Sequence, residues 1–182
     1  MKRKFSFFFL FFFSLLLVSC GGEEQISHDY LCRFTFDKQL HMENKIITAV
    51  TAVNSFVWIE MDRRNGIWHV KVHPANGSGD EDIPLTTAVE NEFPYELGAY
   101  NGIILGCSNF DGPVAYDRQC RNCLQSTGLF VAPLTWSSKF MEVKCTRCGR
   151  TYSLNTGDGL MRYGVRLDYN GFGSVVRVTV KN

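Results

Sequence analysis

The sequence predicts an all-β fold, and three observations support this class. Apolar and polar residues alternate with a period of two in most of the segments that lie between turn signals. Turn signals such as Asn65-Gly66 and Asn170-Gly171 separate these segments at short intervals. No sustained amphipathic helix pattern and no internal repeat interrupts them. Many short strands with frequent turns are typical of a β-sandwich or a small barrel.

The first half of the chain supplies the clearest hairpin. Residues 30–36 alternate and predict a strand, and residues 46–50 predict a second, shorter one. Residues 56–61 and 67–73 predict two antiparallel strands. Asn-Gly between two alternating runs is the strongest short hairpin signal, so Asn65-Gly66 marks the turn.

The remaining elements follow in the second half. Residues 83–97 are ambiguous, because Pro84 and Pro94 leave room for only a turn or two of helix over residues 86–92. A glycine-flanked apolar strand and a shorter strand come next, and a second clean hairpin closes the chain. These four strands are residues 102–107, 114–117, 164–169 and 175–180.

The leader indicates export. Lys2, Arg3 and Lys4 precede an apolar run over residues 5–18. This run is shorter than the roughly 20 apolar residues that span a bilayer, so residues 1–19 predict a secretory signal peptide. An uncleaved signal anchor is the alternative. Leu17-Val18-Ser19-Cys20 resembles a bacterial lipobox, which implies cleavage before Cys20 and acylation of that cysteine.

An acylated Cys20 predicts that the protein lies in the cell envelope and that its partner is a membrane. Residues 20–27 then form a lipidated, flexible tether, and residues 28–182 form a single β domain. The acyl chains hold the protein to a bacterial membrane in the cell envelope, since each buried methylene adds about 0.8 kcal/mol. Glu23 and Glu24 resemble the acidic surface-export signals of some outer-membrane lipoproteins, which favours the outer membrane and display at the cell surface.

Charge and the lack of known motifs argue against nucleic-acid binding and against several classes of enzyme. Without residues 1–19 the chain has 16 basic and 18 acidic residues, a net charge near −2. No basic cluster of the kind that nucleic-acid binding requires is visible along the sequence, so a nucleic-acid partner is not expected. Serine-hydrolase, zinc-protease and phosphate-loop motifs are not found.

Two C-x-x-C pairs carry the chemistry. Cys120 and Cys123 form the first pair, Cys145 and Cys148 the second, and residues 124–144 separate them. This spacing is slightly longer than the 15 to 20 residues typical of paired zinc-binding motifs. Two intervening residues let both sulfurs of a pair turn toward one point, and two facing loops supply four thiolates in a tetrahedron. Gly149 suits such a tight loop.

The second pair also carries a family resemblance. Residues 145–157, CTRCGRTYSLNTG, resemble the second cluster loop of Rieske domains, and residues 115–120 resemble the strand that enters the first. The resemblance implies stacked antiparallel sheets with a metal-binding subdomain of two loops at about residues 107–158. Rieske domains have a histidine in each loop, whereas this chain has Asn122 and Cys148 at those positions. Any [2Fe–2S] cluster therefore requires cysteine ligands alone.

The sequence is consistent with three alternatives for what the four cysteines bind or form. Zn²⁺ is favoured by the paired spacing, and a [2Fe–2S] cluster by the Rieske resemblance. Two disulfides, or redox-active thiols, are favoured by the oxidising envelope. Because the leader lacks a twin-arginine pair, the chain is expected to cross the membrane unfolded, and zinc is readily acquired afterwards. A zinc ion whose four positions are all filled by cysteine predicts a non-enzymatic binding or scaffold protein. A redox-active four-cysteine site predicts an electron carrier, not an oxygenase.

Two further cysteines, Cys32 and Cys107, fall in predicted strands. In an exported chain they are expected either to form a disulfide with each other or to be buried as free apolar thiols.

Overall fold

The computed structural model describes residues 26–41, 44–100, 102–128, 131–139 and 141–182. The predicted signal peptide, Cys20 and most of the tether lie outside these residues. The described part of the chain confirms the all-β class, because strands form most of its regular structure. No helix within it is both long enough and apolar enough to span a bilayer.

Twelve strands and three short helices are found among the described residues. The strands are β1 (Cys32–Asp37), β2 (Ser55–Arg64), β3 (Ile67–Pro74), β4 (Glu81–Leu85), β5 (Glu96–Leu97), β6 (Gly102–Ser108), β7 (Gly112–Asp117), β8 (Leu134–Trp136), β9 (Glu142–Cys145), β10 (Thr151–Ser153), β11 (Arg162–Tyr169) and β12 (Val175–Lys181). The helices are α1 (Lys45–Thr51), α2 (Ala88–Glu92) and α3 (Arg121–Thr127), and Gly98–Tyr100 forms a 3-10 turn.

The strands form two antiparallel sheets. Nine strands make the larger sheet, in the order β4-β3-β2-β6-β7-β11-β12-β1-β5. The smaller sheet has three, in the order β10-β9-β8. The predicted hairpin over residues 56–73 is confirmed as β2 and β3, with Arg64 opposite Ile67. Its turn residues Asn65 and Gly66 have φ of 52° and 83°, as a tight two-residue hairpin requires.

One face of the large sheet encloses the main core. Phe34 and Phe36 from β1 lie in the same buried cluster as Val57 and Ile59 from β2. Four strands separate β1 from β2 in the sheet order, so the sheet curls to bring them together. Ile46 of α1 also belongs to this cluster. The helix therefore fills the inside of the curled sheet.

The strand predicted over residues 46–50 is wrong, since these residues lie in α1. Asn44 caps this helix, and its side-chain oxygen accepts a hydrogen bond from the Ile47 N–H at 3.0 Å. Such a cap satisfies an N–H group that the first helical turn leaves without a partner. The β-branched content of the segment favours a strand locally, but the cap and burial of four of its residues in the main core stabilise a helix.

The opposite face of β2, β6 and β7 supports a second layer. We call this layer, which consists of α3 and strands β8 to β10, the cysteine layer. Phe56 of β2, Ile104 of β6 and Tyr116 of β7 point into it, where they cluster with Leu134 of β8 and Val143 of β9. These three strands of the large sheet are thus buried on both faces, which explains why β6 is buried along its whole length.

Candidate metal centre

The first cysteine pair lies where β7 leads into α3. Cys120 directly precedes the helix, and Cys123 lies in its first turn. The Cys120 N–H donates to the Ala132 carbonyl at 2.9 Å, and the Leu124 N–H donates to the Cys120 carbonyl at 3.1 Å. These bonds fix both ends of the loop, so the two thiols face the same point beneath the surface. Cys120 is fully buried, and Cys123 is nearly so.

The second pair occupies the turn between β9 and β10. Cys145 ends β9, and its N–H donates to the Arg150 carbonyl at 2.9 Å. The Gly149 N–H donates back to the Cys145 carbonyl at 2.9 Å, closing the turn around Cys148. Gly149 has φ of 73°, a left-handed conformation that glycine adopts without a steric penalty. The glycine that follows the second pair in the sequence therefore has the role predicted for it.

The fold brings all four predicted ligands together. Their sulfur atoms lie within 4.8 Å of one another. Cys120 Sγ is 3.7 Å from Cys148 Sγ, and Cys123 Sγ is 3.7 Å from Cys145 Sγ, so the closest pairs join one loop to the other. No disulfide links any of the four. Four thiolates around one tetrahedral ion with bonds of about 2.3 Å would have sulfurs about 3.8 Å apart.

The electrostatics of the site differ from one thiol to the next. The backbone N–H of Arg150 stabilises the Cys148 thiolate and lowers its pKa to about 7, although burial opposes this. Burial raises the pKa of Cys123 to about 12 and also raises the pKa of Cys120. An ionised thiolate is costly at both buried positions unless a cation compensates for it. A bound metal ion is such a cation, so this set of donors fits one.

Tyr152 supports the centre from β10. Its hydroxyl lies 3.2 Å from Cys120 Sγ, within hydrogen-bond distance for a sulfur acceptor. Burial raises the pKa of the Tyr152 hydroxyl, with Cys120 the next cause, so it keeps its proton near neutral pH. Tyr152 also packs into the apolar cluster of the cysteine layer. A hydroxyl donor of this kind orients a ligand and helps to set the strength of metal binding.

An aromatic stack joins the cysteine layer to the large sheet. The rings of Trp58 on β2 and Trp136 on β8 are stacked, with centroids 5.0 Å apart. The Arg118 guanidinium lies 4.2 Å from the Trp58 ring centre, and its Nε donates to the Leu134 carbonyl at 3.2 Å. Arg118 also forms an ion pair with Glu60. No local sequence pattern predicts this contact, since the two tryptophans are distant along the chain.

Cys32 and Cys107 lie outside the centre. Cys32 is in β1 and Cys107 is in β6, with β7, β11 and β12 between them in the sheet. Both are buried free thiols in this structure, and no disulfide joins them. Burial raises the pKa of both, and the charge of Asp117 helps to raise that of Cys32 to about 12. They are therefore small apolar side chains near neutral pH.

Comparisons with models of protein families, with curated proteins and with solved structures found no match to this chain.

Proposed function

We propose that this chain is an envelope lipoprotein whose cysteine layer is held together by one structural zinc ion, and that its domain serves in binding or as a scaffold. The spacing of the sulfur atoms carries the proposal. The two cross-loop distances of 3.7 Å are close to the edge, about 3.8 Å, of a tetrahedron of thiolates around a single Zn²⁺.

The same spacing argues for one ion over two. In a [2Fe–2S] cluster, two thiolates bind one iron and two bind the other. Ligands of different irons are then separated by more than one tetrahedral edge, whereas all four sulfurs here lie within 4.8 Å. Four protein ligands also leave a zinc ion no open position for water or substrate. The proposed role is therefore structural and not hydrolytic.

Export and anchoring support the same assignment. The leader has Lys2-Arg3-Lys4 in place of a twin-arginine pair, which favours transport of an unfolded chain. Zinc taken up after transport would then fold the cysteine layer, as metal binding and folding are coupled in small zinc modules. The anchor itself rests on the lipobox-like Leu17-Val18-Ser19-Cys20. Intact mass spectrometry tests it, and we expect a chain that begins at an acylated Cys20.

Elemental analysis is the primary test of the metal. The full chain is produced in a bacterial host with its own leader and purified in detergent without chelator. We expect about one zinc per chain. Two irons together with inorganic sulfide would overturn the zinc proposal in favour of an electron carrier. A metal-free protein with fewer than six free thiols, the number left when Cys20 of the seven cysteines is acylated, would overturn it in favour of disulfides.

Removing a ligand tests whether the metal is structural. Cys148→Ser removes one ligand at an exposed position and leaves the apolar packing intact, so any loss of stability comes from the metal. We expect loss of bound zinc and a large fall in the melting temperature. Cys107→Ser is the control for loss of a thiol outside the site, because Cys107 is buried in β6, and zinc should stay bound in this variant. Unchanged melting of Cys148→Ser with zinc still bound would contradict the proposal.

Electron transfer is the second candidate, and the exposure of Cys148 favours it. An electron carrier needs one ligand close to solvent, and Cys148 is the exposed member of an otherwise buried set. Iron bound by four thiolates absorbs visible light and zinc does not. A coloured protein that bleaches on reduction would support electron transfer, and a colourless protein with stoichiometric zinc would exclude it.

A further inference from the structure

Four cationic side chains surround the cysteine loops. Arg121 lies beside the first pair, and Lys144, Arg147 and Arg150 lie around the second. All four residues are exposed. The loop segments 119–128 and 143–157 contain no aspartate or glutamate. We call these four residues the cationic rim. The fold creates the rim by bringing two distant loops together, so it was not visible as a basic cluster along the sequence.

The cationic rim has no ion-pair partner among the described residues. Several other arginines form ion pairs, as in Arg64 with Asp82, Arg166 with Asp168 and Arg177 with Asp37, whereas exposed Arg33 and Arg63 form none in the described part of the chain. Within the part of the chain that the structure describes, no ion pair involves a residue of the rim. Zinc with four thiolates carries a net charge of −2, and Glu142 and Asp158 directly flank the second segment, so the attraction depends on the exposure of the four cationic side chains and not on a net positive charge. The rim therefore remains attractive to an anionic surface.

The point where the tether joins the domain lies near the rim. Ile26 pairs with Arg162 at the start of β11. Gly159, three residues before Arg162, lines a groove of about 170 Å³ together with Arg121 and Arg150. Three residues and one strand spacing cover at most about 16 Å. Residues 20–25 extend over at most roughly 20 Å, so an anchored Cys20 keeps the rim within about 36 Å of the bilayer, a range in which it can contact the headgroups.

We infer that the cationic rim docks on anionic phospholipid headgroups of the membrane that holds the anchor, so that the metal centre faces the bilayer. This inference rests on the proposed lipid anchor at Cys20. The mature chain has a net charge near −2, so the whole protein is not attracted, and only the rim gives it an orientation. Each Lys or Arg close to an anionic surface strengthens association by roughly fivefold. The docking adds a second, electrostatic contact to the acyl chains.

Hydrogen exchange of the anchored protein tests the orientation. The full lipidated chain is reconstituted into phosphatidylcholine vesicles with or without phosphatidylglycerol, and exchange is followed by mass spectrometry. We expect slower exchange in segments 119–128 and 143–151 on the anionic vesicles only. The hairpin tip at residues 170–173 serves as an internal reference, because β11 carries it about 25 Å away from Ile26. Its exchange should be equal on both vesicles.

Charge reversal identifies the residues responsible. Arg121→Glu with Arg147→Glu, which changes one rim residue beside each cysteine pair, should abolish the difference between the two vesicles while the protein stays attached and keeps its metal. Arg63→Glu with Arg166→Glu is the control for the same change in net charge, since both residues are exposed and lie outside the rim. This control should retain the protection. High salt should reverse the protection of the unmodified chain, because it screens exposed charges.

Three results would overturn the inference in distinguishable ways. An acylated chain whose rim segments exchange equally on both vesicles would exclude membrane docking and point to an acidic protein as the partner of the rim. Protection of the hairpin tip at residues 170–173 in place of the rim would reverse the orientation. A chain whose mass shows no acyl group would overturn the anchor, and with it the reach argument that holds the rim near the membrane.

Discussion

The main core and the cysteine layer use the same three strands but are held together differently. The main core combines buried side chains from most strands of the large sheet with α1. The cysteine layer consists of one seven-residue helix and three strands of three or four residues. A sheet of that size is marginal by itself, because it buries little apolar surface. Both faces of β2, β6 and β7 bury apolar side chains, but we expect the small cysteine layer to depend in addition on the proposed metal at its four cysteines.

Metal removal should separate the two regions most clearly. Structural zinc contributes apparent binding free energies of about 10–16 kcal/mol in small zinc modules, so its loss should unfold the cysteine layer. We expect that a chelator makes amide exchange in β9 and β10 fast while α1 and β3 remain protected. Hydrogen exchange with and without chelator measures this. Simultaneous loss of protection in both regions would show that they unfold as one unit.

A cavity in the main core should have the next largest effect. Ile46 is fully buried in α1, and Ile46→Ala should lower the free energy of unfolding by about 2–5 kcal/mol. Zinc content should not change, because the side chain lies on the far side of the large sheet from the cysteines. Denaturant unfolding and elemental analysis test both parts. Val53→Ala is the control, since Val53 is 60% exposed and its truncation should change stability by less than about 0.5 kcal/mol.

A methyl group added at Gly106 should disturb the strand that both regions share. A Cβ atom there would lie 2.3 Å from the Phe56 ring and 2.4 Å from the Ser55 carbonyl. Overpacking of this kind costs about 1–3 kcal/mol, and the Ser55 backbone has little freedom to move. We expect Gly106→Ala to lower the melting temperature. Gly171→Ala is the matched control, because a Cβ at Gly171 meets no atom within 4 Å.

The smallest effect on stability is expected from Tyr152. Tyr152→Phe removes the hydroxyl near Cys120 Sγ and keeps the ring packed, so the free energy of unfolding of the zinc-bound protein should fall by only about 1 kcal/mol. Zinc affinity should fall by about 10-fold or more, since such hydrogen bonds orient metal ligands. Competition with a chromophoric chelator measures this affinity. Tyr169→Phe, at an exposed position, should leave it unchanged.

Local patterns predicted the main hairpin and the convergence of the four cysteines. The alternation around Asn65-Gly66 gave β2 and β3, because a two-residue turn fixes the pairing of its flanking strands. The spacing of the cysteines gave the four residues whose sulfurs converge, since two residues between ligands suit one tight loop. In both cases the information lies within a few residues of the feature that it predicts.

Features that depend on distant residues were not predictable in the same way. Residues 46–50 have the composition of a strand, and short apolar runs do not distinguish a strand from a buried helix. The outcome depended on the Asn44 cap and on the space inside the curled sheet. Strands β8 to β10 are too short to show a period. The Trp58–Trp136 stack joins residues that only the completed fold brings into contact.

The double-sided burial of β2, β6 and β7 has a consequence for a chain whose four cysteines hold no metal. Phe56, Ile104, Val114 and Tyr116 form an apolar surface that the cysteine layer covers among the described residues. A chain that has not acquired its metal would present this surface to other proteins, and exposed apolar patches of this kind promote aggregation. Under the proposed export and metal binding, the supply of metal outside the cytoplasm would then decide how much of the protein stays soluble and escapes proteolytic clearance.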